Sequence, residues 1–381
     1  MDLYAGSAYA SFSTRNAAYL SDANGMIYGV TGTSNIADLV NDGCVPIVTP
    51  PFANLRNLID GGDFTTNPWQ RDIAGLATSH AITTAITNTA TYFADRFFHV
   101  GGASSSIVPA KVTDTTIPGF GSALKVQRSS SNADTTAITT GQVIETANAI
   151  KCQGQKITLS FWAKAGANYS GGNLTATIAS GTGSNQSAAN LVAGSWTSQA
   201  NVAQAAVALT SLYQRYAVSG VVPIGATQLG VLLQWTPTGT AGTDDSVTFQ
   251  GVQLELGAMS PFEHRAAKTE LGMCQRYAWV VPEPASSVVV GAGSNSASNV
   301  QIFYLALPVQ MYKAPAVTTA VGTFKVNSST GGVAAATGLA GVSAHTPNAI
   351  GLTSTGTGTA GQASILQGGG GSGYVMASAD F

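Results

Sequence analysis

The sequence predicts an all-β protein in three parts: a small N-terminal module over 1–50, a central β-sandwich or barrel over 51–264 and a second β-domain over 265–381. Short runs of alternating or β-branched residues recur between turn clusters along its 381 residues. No amphipathic helical pattern extends over three turns. The 44 glycines and the many Ser, Thr and Asn residues supply the turns that numerous short strands require.

The N-terminal module is expected to hold short strands and one short helix. DANG at 22–25 marks a turn between β-prone pieces. Ser34 can cap a helix over 35–42, which Gly43 then ends. Three apolar residues share one face of this helix and are the candidate docking residues: Ile36, Leu39 and Val40. Because about fifty residues with few large apolar groups form a marginal core, we expect either a partner surface or further copies of the chain to complete the module.

The central domain contains the clearest strand patterns. In the strand predicted at 156–165, Ile157, Leu159, Phe161 and Ala163 lie on one face, and Trp162 lies on the other with Thr158, Ser160 and Lys164. Trp162 is therefore either a core residue of a two-layer sheet or an exposed ring for stacking. Six runs carry the strand signal: 121–129, 155–165, 171–180, 212–222, 228–235 and 245–257.

The C-terminal domain is expected to be a second β-sandwich. Its strands are predicted near 278–281, 287–290, 300–309 and 316–326. The glycine-rich stretch GGGGSG at 368–373 precedes apolar residues, so a final strand is expected after it.

The junction at 251–277 concentrates charged groups that are scarce elsewhere. Three of these are expected to form a charge-paired clasp between the domains: Glu263, Arg265 and Arg276. A short helix is expected from Thr269, which would act as its cap, with Leu271, Met273 and Cys274 turned inward.

Composition and charge exclude several function classes. Only 9% of residues are charged and the net charge is −2, so no basic patch for nucleic acid is available. No run of about 18 apolar residues occurs, so no membrane insertion is expected. The first residues do not match a secretory signal, which favours synthesis in a cytoplasm. The three cysteines, Cys44, Cys152 and Cys274, are expected to be reduced and buried.

The sequence assigns no catalytic residue. Glu255 and Glu263 are the only close glutamates of the central domain. Unless the chain reverses between them, eight extended residues would separate them by about 26 Å, too far for a glycosidase pair. The four histidines are scattered, and neither a nucleophile elbow nor a phosphate loop occurs. We therefore expect a protein that is not an enzyme.

An ordered set of motifs resembles bacteriophage tail-fibre and other virion-surface proteins. NLIDGGDFTTNPWQR at 57–71 is similar to their Asn-Leu-x-x-Asn/Gly-Gly-x-Phe-x-x-x-x-Trp-Gln-Arg opening. Later segments that are similar in order and spacing lie at 160–166, 214–220, 249–265, 269–279 and 307–318. The central part also resembles the jelly-roll carbohydrate-binding modules of glycoside hydrolases.

The resemblance implies candidate sites and partners. Jelly rolls of this type often hold a structural calcium, for which the candidate ligands are Asp60, Asp63, Asp244 and Asp245; an ordinary solvated Asp-Asp turn is the alternative. No other cofactor is expected. Glycan contact would use aromatic faces, and the candidates are Trp162, Tyr169, Trp196 and Trp235. The expected partners are other virion proteins, copies of the chain in a homotrimer, and a host-surface glycan.

Together, these expectations predict that the chain is a structural protein of a tailed-phage virion. Its N-terminal module would attach to the tail, as in a fibre, or to the capsid, as in a head fibre or decoration protein. Its location would be the virion surface. The alternative from another class is a free carbohydrate-binding or glycan-hydrolysing protein.

Overall fold

The computed structural model describes residues 2–4, 11–13, 18–20, 26–27, 45–47, 56–73, 90–101, 107–320, 322–329, 332–342 and 345–381. The chain divides into two compact units, Met1–Arg56 and Asn57–Phe381. The predicted docking residues Ile36, Leu39 and Val40 lie outside the described residues, as does Cys44.

The described residues of the first unit form five short strands. They are β1 (Asp2–Tyr4), β2 (Ser11–Ser13), β3 (Ala18–Leu20), β4 (Met26–Ile27) and β5 (Val45–Ile47). β1 is the central strand of an antiparallel sheet with β4 and β5, while β2 pairs with β3. The strands on either side of the DANG turn therefore pair with other strands and not with each other.

The second unit begins with two antiparallel sheets that form the first sandwich. One sheet has the order β13 (Ala200–Ala208), β12 (Asn173–Gly181), β15 (Gln228–Trp235), β10 (Ile138–Ile144), β7 (Phe98–Val100) and β6 (Thr91–Tyr92). The other has the order β14 (Gln214–Val221), β11 (Lys156–Ala165), β16 (Ser246–Leu256), β9 (Ser122–Arg128) and β8 (Ile107–Thr113).

Side-chain alternation determines the core of the first sandwich. The predicted apolar face of β11 is completely buried, with Phe161 at 0% exposure, whereas Trp162 on the opposite face is half-buried. Gly141 in β10 allows close packing, because a Cβ there would lie 2.1 Å from the carbonyl oxygen of Val231 and 2.8 Å from the ring of Phe98. Such a strand tolerates no side chain at that position.

The segment from Asn57 completes the five-stranded sheet. The N–H of Leu58 donates to the carbonyl oxygen of Leu254 (2.7 Å), and the N–H of Leu254 donates to Asn57 Oδ1 (2.9 Å). β16 is consequently buried along nearly its whole length. The motif that opens at 57 therefore has a structural role in this sheet.

Two further antiparallel sheets form the second sandwich. The smaller has the order β17 (Ala278–Pro282), β26 (Tyr374–Ser378) and β20 (Ala316–Ala320). The larger has the order β22 (Gly332–Ala335), β21 (Lys325–Ser328), β25 (Ala363–Gln367), β18 (Val289–Ala297), β19 (Val300–Ala306), β24 (Ala349–Thr355) and β23 (Thr337–Gly341). Both sheets contribute to one buried cluster, for example Phe303 from the larger and Val375 from the smaller. The predicted final strand after the glycine-rich stretch is confirmed as β26.

Four short helices join the strands of the described region. They are α1 (Gln70–Ile73), α2 (Thr146–Ala149), α3 (Ala188–Val192) and α4 (Ala267–Gln275), with a 3₁₀ turn at Ile150–Cys152. None of them has the length and apolar character that crossing a membrane requires. The all-β prediction is confirmed, with two sandwiches in the second unit.

The predicted helix after the first sandwich exists as α4 but differs in detail. It begins at Ala267 with Ala266 at the cap, so Thr269 lies inside the helix. Its buried residues are Glu270 and Cys274, while Leu271 is 37% exposed. The prediction that Leu271 points inward was wrong, because Glu270 occupies the inward position and bonds to the buried N–H of Gly61.

Candidate functional site

A shallow polar groove crosses the outer face of the five-stranded sheet. Register places Lys164 of β11 opposite Thr248 of β16, and Thr248 opposite Lys125 of β9. With strands about 4.8 Å apart, the two lysines flank Thr248 in one row about 10 Å wide. The groove has a volume of about 440 Å³ and is completed by the loops that carry Asp114 and Asp244. We call this feature the polar groove.

One side of the polar groove is a hydrogen-bonded triad. Lys164 Nζ donates to Asp114 Oδ2 (2.7 Å), and Tyr213 Oη donates to the same oxygen (3.0 Å). The lysine nitrogen also lies 4.5 Å from the centre of the Tyr213 ring. Lys164 is 28% exposed and Asp114 10% exposed, so the triad is held in place yet open to a ligand.

The other side is a second ion pair. Lys125 Nζ lies 2.8 Å from Asp244 Oδ1, with side-chain exposures of 27% and 35%. Ser246 donates its hydroxyl to the same carboxylate (2.8 Å). Two ion pairs therefore face one groove in a chain of which only 9% is charged.

Both groove carboxylates are held in the ionised form. Burial raises the pKa of Asp114, but hydrogen bonds from Lys164, Thr116 and Tyr213 outweigh it and bring the pKa to about 2. The pKa of Asp244 is also lowered, because bonds from Lys125, the Ala167 N–H and Ser246 outweigh the effect of burial. Neither carboxyl group is therefore suited to act as a general acid near neutral pH.

Trp162 lies on the same sheet face as the polar groove, outside the residues that line it. It lies two residues from Lys164 on the same face, a separation of about 7 Å along the strand. The Arg215 guanidinium lies 4.4 Å from the centre of its ring, and Phe120 meets it edge-on at 5.6 Å. Gly251, at φ +56°, leaves the room for this packing. The indole is therefore fixed by packing while remaining half-buried, between the two alternatives predicted from the sequence.

The aromatic cluster continues beyond Trp162 to the residues after β16. Phe120 lies 5.2 Å from Phe262 and 4.9 Å from His264, measured between ring centres. His264 is 44% exposed and its Nδ1 lies 2.9 Å from Asp63 Oδ2. The outer face of the sheet thus presents aromatic rings beside the two Lys–Asp ion pairs.

The remaining predicted glycan-binding residues do not reach this face. Trp196 and Trp235 are 3% and 1% exposed, so neither has a ring face for a sugar, and this part of the prediction was wrong. The Trp196 indole donates to the Ser187 carbonyl oxygen (2.9 Å) and packs in the core. Tyr169 has a buried hydroxyl and lies beside Gly171 next to Trp235.

The four predicted calcium ligands each have partners from the chain. The pairs are Asp60 with Arg96 (3.2 Å), Asp63 with His264, Asp244 with Lys125, and Asp245 with Arg128 (2.6 Å). Within the described ranges, no group of three or more His, Cys, Asp or Glu side chains could hold a metal ion. Asp244 and Asp245, which are adjacent in the sequence, are thus each paired with a different cationic side chain.

The predicted clasp is correct for two of its three members. Arg265 pairs with Glu263 (3.3 Å) and Glu270 (3.4 Å) and is nearly buried. Arg276 instead pairs with Glu145 (2.7 Å), at the start of α2. Arg276 lies at the domain junction as predicted, since its Nη1 also donates to the carbonyl oxygen of Gln310 (3.3 Å), but it does not join the charge cluster of Glu263 and Arg265.

Carboxyl groups with a raised pKa occur only deep in the domain junction, among the described residues. Burial raises the pKa of Asp95 to about 6, and it raises that of Glu270. Both side chains are at most 2% exposed, so no substrate can reach them. Cys152 and Cys274 are free and buried, as predicted.

The sequence indicated only part of the polar groove. Alternation along β11 placed Lys164 on the face of Trp162, which is the one signal that could have located the site. Asp114, Lys125 and Tyr213 were missed, because strand register and loop paths bring them to the groove from distant positions.

Comparisons with known proteins give only distant similarities. No protein-family model and no curated protein matches the chain. The enzymatically active domain of bacteriophage CBA120 tailspike protein 4 gives a TM-score of 0.31 at 14% identity, covering 53% of this chain and only 21% of that one. The xylan-binding CBM22-1 domain of Paenibacillus barcinonensis Xyn10C gives 0.29 at 13% identity, with coverages of 48% and 94%.

A third solved structure is TmCBM61 in complex with beta-1,4-galactotriose. Its TM-score is 0.28 at 11% identity, and the match covers 54% of this chain and 99% of that one. TM-scores of this size assign neither a family nor a ligand to the chain.

Proposed function

We propose that the chain is a non-catalytic surface protein of a tailed-phage virion that binds a host-surface glycan through the polar groove. The observation that carries the glycan proposal is the pairing of two ion pairs with a packed tryptophan on one sheet face. A sugar hydroxyl can accept a hydrogen bond from a lysine and donate one to an adjacent aspartate at the same time. An indole ring can pack against the apolar face of a sugar ring. The groove volume lies within the usual range of ligand sites, about 300–1,000 Å³.

The virion role is supported by the ordered motifs between 57 and 320 and by the sparse charge. A surface with few ionised groups has little protection against self-association, which suits a protein that assembles on a particle. If the protein attaches to the tail, it is a tail fibre; if it attaches to the capsid, it is a head fibre or a decoration protein. Gold labelling of the C-terminus on purified virions separates these two locations, and a label on neither would refute the virion role.

The non-catalytic role is supported by the protonation states at the groove. A glycosidase needs a carboxylic acid with a raised pKa beside a second carboxylate, whereas both groove carboxyls have lowered pKa values. Glu263 accepts hydrogen bonds from the Asn57 N–H and from Arg265, which occupy its Oε2. We expect no sugar release from any glycan that binds, and release that Glu263→Gln abolishes would establish the hydrolytic alternative.

The glycan proposal is tested with a glycan array followed by calorimetry on each hit. Lys164→Met and Asp114→Asn should each raise the dissociation constant about tenfold or more, since a hydrogen bond to a charged group contributes about 1.5–3 kcal/mol. Lys268→Met is the matched control, because Lys268 is an exposed lysine of α4 outside the groove. Equal weakening by all three variants, or no array hit, would refute the groove as the binding site.

A further inference from the structure

Exposed aliphatic side chains gather at one end of the first sandwich. Three segments meet there, namely 150–156 after α2, 221–226 between β14 and β15, and 257–260 after β16, and we call them the apolar tip. Its exposed apolar residues are Ile150 (44%), Val221 (62%), Ile224 (90%) and Met259 (47%). An aliphatic side chain as exposed as Ile224 costs solubility without contributing to the core.

Backbone hydrogen bonds hold the three segments together. The N–H of Gly154 donates to the carbonyl oxygen of Val222 (2.9 Å), which joins the first segment to the second. The N–H of Gly257 donates to the carbonyl oxygen of Lys156 (2.8 Å), which joins the third segment to the first. The three segments that carry the exposed residues are therefore held next to one another.

The apolar tip protrudes into solvent. A Cβ at Gly225 or at Gly257 would meet no other atom within 4 Å. The 221–226 loop contains a tight turn, in which the Ala226 N–H donates to the carbonyl oxygen of Pro223 (3.1 Å), Gly225 has φ +92° and Ile224 is 90% exposed. A convex aliphatic loop suits insertion into a soft, deformable phase better than it suits a rigid protein groove.

The charge of the apolar tip is entirely positive. Lys151 and Lys156 are exposed, and the three segments contain no Asp or Glu. Lys156 lies directly opposite Val221 in the register of β11 and β14. Aliphatic side chains flanked by lysines are the combination that anionic lipid surfaces attract.

We propose that the apolar tip docks on an anionic lipid surface. Ile224, Val221 and Ile150 enter the boundary between headgroups and acyl chains, and Lys151 and Lys156 contact the lipid phosphates. Docking of this kind is peripheral, and it uses a surface separate from the polar groove.

The test is co-sedimentation of the full chain with vesicles of phosphatidylcholine alone or mixed with phosphatidylglycerol. Wild type should bind the mixed vesicles, less at high salt. The double variant Lys151→Met, Lys156→Met should bind about 25-fold more weakly, since each lysine near such a surface contributes about fivefold. Ile224→Asp should abolish binding.

Leu212→Asp is the matched control, because Leu212 is 71% exposed at the opposite end of β14. It should bind vesicles like wild type, as should Lys164→Met, which separates this proposal from the glycan proposal. Failure of wild type to bind anionic vesicles would overturn the proposal, as would equal losses in Leu212→Asp and Ile224→Asp. If sedimentation velocity shows that Ile224→Asp dissociates an oligomer while vesicle binding persists, the tip contacts a second copy and the lipid proposal is wrong.

Discussion

The buried ion pair between Arg128 and Asp245 is expected to be the most costly charged contact to break in the first sandwich. Both side chains are completely buried, with Arg128 Nη1 2.6 Å from Asp245 Oδ2. Arg128 Nη2 also donates to three carbonyl oxygens, those of Asn132, Asp134 and Gly239 (2.8, 2.8 and 3.1 Å). Arg128→Met would keep much of the side-chain volume while removing every one of these donors.

The expected loss follows from what the substitution leaves behind. Asp245 would keep only the N–H and hydroxyl of Ser170 as partners, in a site that solvent does not reach. Removing one member of a buried pair costs about 3–5 kcal/mol, and we expect about 4 kcal/mol for Arg128→Met. Lys125→Met is the matched control at the neighbouring carboxylate, and this partly exposed pair should cost at most about 1 kcal/mol.

Urea unfolding followed by tryptophan fluorescence measures both losses, with the m-value checking that the same surface unfolds. Arg128→Lys is a second comparison, since it keeps the charge but cannot reach all the acceptors, and it should fall between wild type and Arg128→Met. A loss below about 1 kcal/mol for Arg128→Met, or one equal to that of Lys125→Met, would refute this reasoning.

Three further predictions concern Glu283, Gly251 and calcium. Burial raises the pKa of Glu283, but hydrogen bonds from Thr323, Gly369 and Gly373 bring it to about 2. This pKa is below the unfolded value of about 4.3, so the stability that ionised Glu283 contributes to the folded state is present above pH 4.3 and is lost as the pH falls toward 2. Glu283→Gln should therefore flatten this part of a curve of stability against pH. Because solvent screens the group, the substitution should cost about 1 kcal/mol at pH 7. Gly251→Ala would place a Cβ 2.7 Å from Phe120 at φ +56°, so it should cost more than about 1 kcal/mol and shift the tryptophan emission, and an unchanged spectrum would contradict it. Calcium or EDTA should leave the melting temperature unchanged, and a rise of several degrees with calcium would restore the metal prediction.

Alternation predicted the strands whose inward positions are large and apolar. β11, β15 and β16 were found because their apolar residues repeat every second position. β13 was missed, since its sequence ANVAQAAVA is rich in alanine, a weak strand former. It forms because β12 offers it an unpaired edge with eight register partners.

The errors at the candidate site have a physical cause as well. Trp235 falls on the same alternating face as Leu229, Val231 and Leu233, so its burial could have been predicted from β15 itself. The polar groove could not have been predicted, because Asp114 and Asp244 lie in loops whose positions depend on tertiary packing. Only Lys164 carried a local signal, its place beside Trp162 on β11.

The most direct measurement is a crystal structure of the protein with a glycan identified by the array. We expect electron density for sugar in the polar groove, with hydroxyls bonded to Lys164 and Asp114 and a ring against Trp162. Sugar density that lies elsewhere on the protein, with the groove filled by ordered water, would contradict the account.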